Sequence, residues 1–272
     1  MPINLATLAL SACSSYAASA SLVWLAQGRI IFGKPRRMRQ LLQGPLPLQH
    51  TVQSLRLAVS DTVQLEGWSA RPAPTDKRRV LIYFGGRNEH VAWVCAMPSY
   101  LGAWTVYAFN YRGFGQSGGR ASESSAKADA LKIYEEVWRL EAGPDTEIAI
   151  VGRSLGTAIA SAVAARKEVR HLELLSPFES LEQLLRKRPL LNAMRWTLRQ
   201  KFDCTEDARR VRARTAVLLA ARDTRIPHPS SRALAARLQA PATLCIVPGT
   251  THQSLPRHPA TQAAIAAFLN PP

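Results

Sequence analysis

Two rhythms of apolar and polar positions run along the chain after residue 50. Val63-Gln-Leu-Glu-Gly-Trp68 alternates with period two, the mark of a half-buried strand. With Val52–Val59 it predicts two strands around Ser60-Asp61. Arg79–Phe84, Trp104–Phe109, Ile148–Val151, His171–Leu175, Ala216–Ala221 and Thr243–Val247 are short apolar runs, suited to strands buried on both faces. Helical stretches are predicted between them: Glu89–Tyr100, Ser122–Glu141, residues 155–166, Ser230–Leu238 and Pro259–Leu269. In the longest, Ala126, Ala130, Ile133, Val137 and Leu140 keep the i, i+3/i+4 spacing of one helical face. Strands alternating with helices predict an α/β fold, a mostly parallel sheet with helices on both faces. Residues 177–214 interrupt the alternation. They read as helical, amphipathic and basic, with ten Lys/Arg from Arg186 to Arg214, and form an insertion in the pattern.

The strand at Ile148 runs straight into Gly152-Arg153-Ser154-Leu155-Gly156, and an alanine-rich helix follows. G-x-S-x-G between strand and helix is a nucleophile elbow, which lifts the serine hydroxyl to the top of a sheet. Ser154 is the candidate nucleophile. A serine hydroxyl needs a base, and the base needs an orienting acid. In a parallel sheet these belong at the carboxyl ends of strands. Asp223 follows the run Ala216–Ala221, and His252 lies on the loop after Thr243–Val247. The competing acids Asp203, Glu206 and Asp207 sit in the insertion instead. His50, His171, His228 and His258 fit the base role less well, and His90 reads as a helix-surface residue. An oxyanion needs two backbone N–H donors. Leu155, just after the nucleophile, offers one. The loop Gly85-Gly86-Arg87 offers the other, from Arg87 or alternatively Gly86.

Charge and cysteine usage narrow the partners. The chain has 272 residues, 47% of them hydrophobic, and a net charge of +16. Only seven of its 35 basic residues are lysine. Arginine scattered this way fits a solvated basic surface, or attraction to anionic membranes or acidic substrates. No zinc-finger spacing, RNA-binding signature or basic-aromatic interleaving is present, so no nucleic-acid partner is expected. Cys13, Cys95, Cys204 and Cys245 lack metal-ligand spacing. Cys95 and Cys245 read as small buried hydrophobes. No metal or cofactor is called for by the chemistry.

Residues 1–28 carry no charged side chain, and residues 3–26 are long enough to span a bilayer, though Asn4, Thr7 and several serines dilute them. Arg29, Lys34, Arg36, Arg37 and Arg39 follow, which under the positive-inside rule would hold the rest in the cytoplasm. Leu10-Ser-Ala-Cys13 resembles a lipobox, and Ala18-Ser-Ala20 a signal-peptidase site, but no basic residue precedes the apolar stretch. The segment 1–28 therefore reads as a membrane anchor or a signal or lipoprotein peptide, ahead of a domain over 29–272. A soluble chain with a docked N-terminal helix is the alternative.

From about residue 28 to 269 the chain resembles the α/β-hydrolase superfamily, in the serine-aminopeptidase-like group that includes depalmitoylase-like proteins. The resemblance rests on Gly28-Arg-Ile-Ile-Phe-Gly-Lys-Pro35, Tyr83-Phe-Gly-Gly-Arg-Asn-Glu89, Asn110-Tyr-Arg-Gly-Phe-Gly-Gln-Ser-Gly118, Gly152–Gly156 and Ser176-Pro-Phe-Glu-Ser180. Arg87 stands where that group often has Asn, and Gln253 follows His252 where Asn is frequent. The resemblance implies a serine hydrolase of carboxylesters or thioesters, acting on a small or lipid-like acyl substrate, with the insertion at about 177–214 as a small helical cap. An aminopeptidase-like amide hydrolase is the enzymatic alternative. A non-catalytic binding module on the same fold is the alternative of another class.

Overall fold

A computed structural model describes residues 24–34, 51–72, 78–186 and 197–271, with Ser14, Ser21, Asn192 and Arg195 as isolated positions. The lipobox-like and signal-peptidase-like motifs lie outside the described residues, as does most of the apolar segment before Trp24. The alternating residues form the hairpin β1 (Thr51–Ser60) and β2 (Val63–Arg71), antiparallel with Leu57 opposite Leu65. The apolar runs form β3 (Arg79–Phe84), β4 (Trp104–Phe109), β5 (Glu147–Arg153), β6 (His171–Leu175), β7 (Arg214–Arg222) and β8 (Thr243–Thr251). The sheet order is β1-β2-β4-β3-β5-β6-β7-β8. β2 pairs antiparallel with β4, and every pair from β4 to β8 is parallel. This is the α/β-hydrolase fold that the alternation and the resemblance implied.

Each face of the sheet buries its own core. Helices Glu123–Glu141 and Leu155–Ala164 cover one face, packing Ile133, Val137 and Ile159 against Ile82 and Ile150. On the other, Val94, Ile265 and Phe268 pack near Leu81, Ala149 and Leu218. Helix Glu123–Glu141 starts at a capping box: Ser122 Oγ accepts from Ser125 N–H at 3.1 Å, and Ser125 Oγ accepts from Ser122 N–H at 2.9 Å. Both satisfy donors that the helix leaves open at its first turn.

Three local readings change. The stretch 89–100 is not one helix but a 3-10 turn, Val91–Ala96, followed by the short helix Pro98–Leu101. His90 is not a surface residue. It is half-buried before that turn, its Nδ1 accepts from Ala92 N–H at 3.4 Å, and its ring packs on Trp68. Cys245 is half-buried rather than core, because β8 is the last strand of the sheet and most of its residues face water. The insertion between β6 and β7 contains helices Leu181–Arg186 and Thr205–Ala208 among its described residues. Residues 24–32 form a helix that runs across the boundary expected at residue 28, and its Phe32 is buried against Tyr111, Phe114 and Phe202.

Candidate active site

The turn after β5 is closed by contacts that only glycine permits. A Cβ on Gly156 would sit 2.1 Å from the Phe84 carbonyl oxygen, and one on Gly152 would sit 2.6 Å from the Gly156 oxygen. Between them Ser154 adopts φ 50° and ψ −115°, a region sparsely occupied by residues with a side chain. Its N–H donates to the Leu175 carbonyl at 2.8 Å, which ties the strained turn to the end of β6.

The three residues expected at strand ends meet there. His252 Nε2 lies 3.0 Å from Ser154 Oγ, and His252 Nδ1 lies 2.8 Å from Asp223 Oδ2. Asp223 Oδ1 accepts from the N–H groups of Arg225 and Ile226, both at 2.9 Å. Its side chain is 1% exposed. Burial pushes the Asp223 carboxyl up, but the hydrogen bonds from His252 and the Ile226 N–H and the His252 charge outweigh it, and the group falls to about 2. An ionised acid bonded to one ring nitrogen leaves the other facing the serine hydroxyl. That is the arrangement that lets an imidazole take the serine proton.

The depressed acid carries a stability prediction. Folded Asp223 titrates below its unfolded counterpart, so its contribution is complete above about pH 5 and is lost as pH falls through about 2. A shift of this size corresponds to about 2 kcal/mol. Urea unfolding should therefore show wild type losing about 1.5 kcal/mol more stability than Asp223→Asn between pH 6 and pH 2.5. Parallel losses in the two proteins would contradict it.

The loop after β3 is held from both sides. The peptide joining Gly85 and Gly86 has neither group free: Tyr111 Oη donates to the Gly85 carbonyl at 2.7 Å, and the Gly86 N–H donates to Glu89 Oε2 at 2.6 Å. The alternative assignment of Gly86 as oxyanion donor is thereby corrected, since its N–H already has an anionic acceptor. The next N–H, on Arg87, remains for the role. Arg87 and Leu155 line the same cavity as Ser154.

Two residues that the sequence reading passed over organise this loop. Glu89 is buried, and it also accepts from Tyr83 Oη and Trp93 Nε1, each at 2.9 Å. Arg153, the variable residue of the elbow, donates to Glu89 Oε2 at 2.8 Å and to the His252 carbonyl at 3.1 Å. Burial pushes the Glu89 carboxyl up, and the Arg153 charge with these hydrogen bonds more than reverses it. One guanidinium thus joins the oxyanion loop, the elbow and the histidine loop. The clue lay in a charged residue at an elbow position facing a glutamate just after a glycine pair, but 64 residues separate the partners.

The cavity at Ser154 has a volume of about 530 Å³. Ile31, Phe178, Leu181, Leu184, Leu198 and Ile226 contribute to an apolar wall, and no described residue lining it is a carboxylate. No group of three or more His, Cys, Asp or Glu among the described residues is placed to hold a metal ion.

Comparison with known proteins agrees with this architecture. A family model described as alpha/beta hydrolase fold matches residues 79–208. An uncharacterised protein of Mycobacterium tuberculosis is 27% identical over 259 residues, covering 90% of each chain. The lysophosphatidylserine lipase ABHD12 of Xenopus tropicalis is 31% identical over 120 residues, which span 40% of this chain and 30% of that protein. An esterase from Pyrococcus furiosus superposes with a TM-score of 0.66 at 16% identity, over 87% of this chain and 96% of that one. At that identity the likeness speaks for the fold.

Proposed function

The chain belongs to the α/β-hydrolase superfamily, and from that premise we propose that it is a serine hydrolase of carboxylesters or thioesters. The observation that carries this reading is the unbroken chain Ser154–His252–Asp223, with contacts of 3.0 and 2.8 Å, whose serine lines an apolar cavity. Ser154 Oγ attacks the acyl carbonyl carbon while His252 Nε2 takes its proton. The Arg87 and Leu155 N–H groups receive the oxyanion. His252 then protonates the departing alcohol or thiol, and in the second half it takes a proton from the water that releases the acid. Asp223 holds the imidazole tautomer and balances the imidazolium.

The wall chemistry favours acyl esters over aminopeptide substrates. A peptide α-ammonium needs an acidic partner, and none of the described residues lining the cavity supplies one. We further assign the described part of the 177–214 insertion as a cap over this cavity, since Phe178, Leu181, Leu184 and Leu198 line it. An apolar cavity of this volume rewards a chain longer than acetyl. Each buried methylene is worth about 0.8 kcal/mol, so KM for p-nitrophenyl esters should fall by up to about fourfold per added methylene from C2 until the cavity is filled. A flat KM with acetate as the best substrate would sink the acyl-chain reading. Absence of turnover on every ester and thioester by folded protein would sink the hydrolase reading and favour a binding module.

A further inference from the structure

Helix 24–32 takes part in three structures at once. Gln27, Ile30 and Ile31 line the cavity at Ser154. Its carboxyl end holds the oxyanion loop: Arg87 Nε donates to the Ile30 carbonyl at 3.0 Å, and the Asn88 N–H donates to the Phe32 carbonyl at 2.9 Å. Leu25 and Arg29, with Lys34 just beyond the helix, line a separate cleft of about 990 Å³.

That cleft is strongly basic. Six cations line it, Arg29, Lys34, Arg112, Arg120, Lys127 and Arg199, against the single carboxylate of Glu123. Asp129 neutralises Arg112 at 2.7 Å, and Glu123 neutralises Lys127 at 2.8 Å. Arg29, Lys34, Arg120 and Arg199 are exposed, and none forms an ion pair with a described residue. The helix also exposes large apolar side chains: Trp24 is 43% exposed, Leu25 70% and Ile30 48%. The Arg199 guanidinium lies 4.0 Å above the Trp24 ring. Exposed indole and aliphatic groups among exposed cations match the layered chemistry of an anionic bilayer surface, with phosphates outside and apolar carbon beneath. The charge-free stretch of sequence before residue 29 leads into this face.

We propose that this face docks on an anionic membrane surface, with lipid headgroup phosphates in the basic cleft and Trp24 and Leu25 in the interfacial layer. Docking brings the helix that walls the acyl cavity to the lipid, so an acyl chain leaving the bilayer reaches Ser154 along Ile30 and Ile31. This last consequence rests on the acyl-hydrolase reading, whereas the docking itself does not.

The test compares partitioning of the full chain onto vesicles of phosphatidylcholine alone and with 30% phosphatidylserine, in about 0.1 M salt. The readout is the ratio of the two partition coefficients, from which any charge-independent contribution of the apolar N-terminal segment cancels. Wild type should prefer anionic vesicles. Arg29→Glu with Arg120→Glu should lower that ratio by about 30-fold or more, since each basic residue near the surface carries roughly a fivefold effect. Arg212→Glu with Arg232→Glu, both exposed and outside the cleft, should leave it within about twofold of wild type. Three results would overturn the proposal: no anionic preference in wild type, a preference kept by the cleft variant, or an equal loss in the remote one. Saturable binding of inorganic phosphate without vesicle preference would also overturn it, in favour of a soluble anion. The cleft variant should keep wild-type turnover of soluble p-nitrophenyl butyrate while losing turnover of long-chain esters held in anionic vesicles. If wild type hydrolyses neither, the acyl-hydrolase reading fails, and the partition ratios still decide the docking.

Discussion

Ser154→Ala should lower kcat for p-nitrophenyl butyrate about a million-fold and abolish labelling by a fluorophosphonate probe. The hydroxyl removed contacts the base at 3.0 Å, and its residue lines the cavity. Groups that act as one unit lose activity non-additively, so His252→Ala added to Ser154→Ala should cost little more than either alone. Asp223→Asn should cost about ten-thousand-fold, because the amide cannot hold the imidazole in the working tautomer. Ser154→Gly supplies a contrast. The serine sits at φ 50°, where glycine carries no side-chain penalty, so this variant should be equally inactive yet more stable by about 1 kcal/mol. Probe labelling of Ser154→Ala equal to wild type would place the nucleophile elsewhere.

Glu89→Ala should be the most destabilising single change near the site, by about 3–5 kcal/mol in urea unfolding, because it strands a buried guanidinium. The Arg153 side chain is 13% exposed and Glu89 is its ion-pair partner. The same change removes the acceptor of the Gly86 N–H, Tyr83 Oη and Trp93 Nε1. The pair acts by positioning, since neither side chain reaches the serine hydroxyl in the contacts that build the site. Glu89→Gln with Arg153→Met removes both charges and should recover much of the lost stability. It should nonetheless keep kcat about a hundredfold down with KM little changed, because misplacing the oxyanion and histidine loops acts on the transition state. Wild-type stability in Glu89→Ala would refute the buried ion pair. Full kcat in the double variant would reduce the pair to a structural brace.

The fold and the Ser154–His252–Asp223 trio were legible in the sequence because each depends on local pattern. Apolar runs between helical stretches mark parallel strands, glycines flank the elbow, and the trio lies just past strand runs. What was hidden depends on contacts far apart in the chain. The Glu89–Arg153 pair joins two loops, and Glu89 also takes the Gly86 N–H. Residue 28 reads as a boundary from the charge-free, span-length stretch before it and the resemblance that begins there, whereas helix 24–32 runs through it, with Phe32 buried and the Gln27 amide bonded to the Thr197 carbonyl and the Arg199 N–H. Cys245 looked like core because Thr243–Val247 is apolar, and no local pattern announces that a strand will end the sheet. The 3-10 turn at Val91–Ala96 escaped for a related reason. Its buried Val91, Trp93 and Val94 follow the surface they cover rather than a helical period.

The position of β8 sets how the protein would fail. The base, His252, follows directly on a strand with one neighbour, β7, while Ser154 rises from β5, which has two. Edge strands open at lower free energy than central ones. Warming or mild denaturant would then loosen the histidine loop before the central strands, against the Arg153 bond to the His252 carbonyl and the His252–Asp223 contact. Inactivation would precede unfolding, and the useful lifetime of the site would be that of its outermost strand rather than of the sheet.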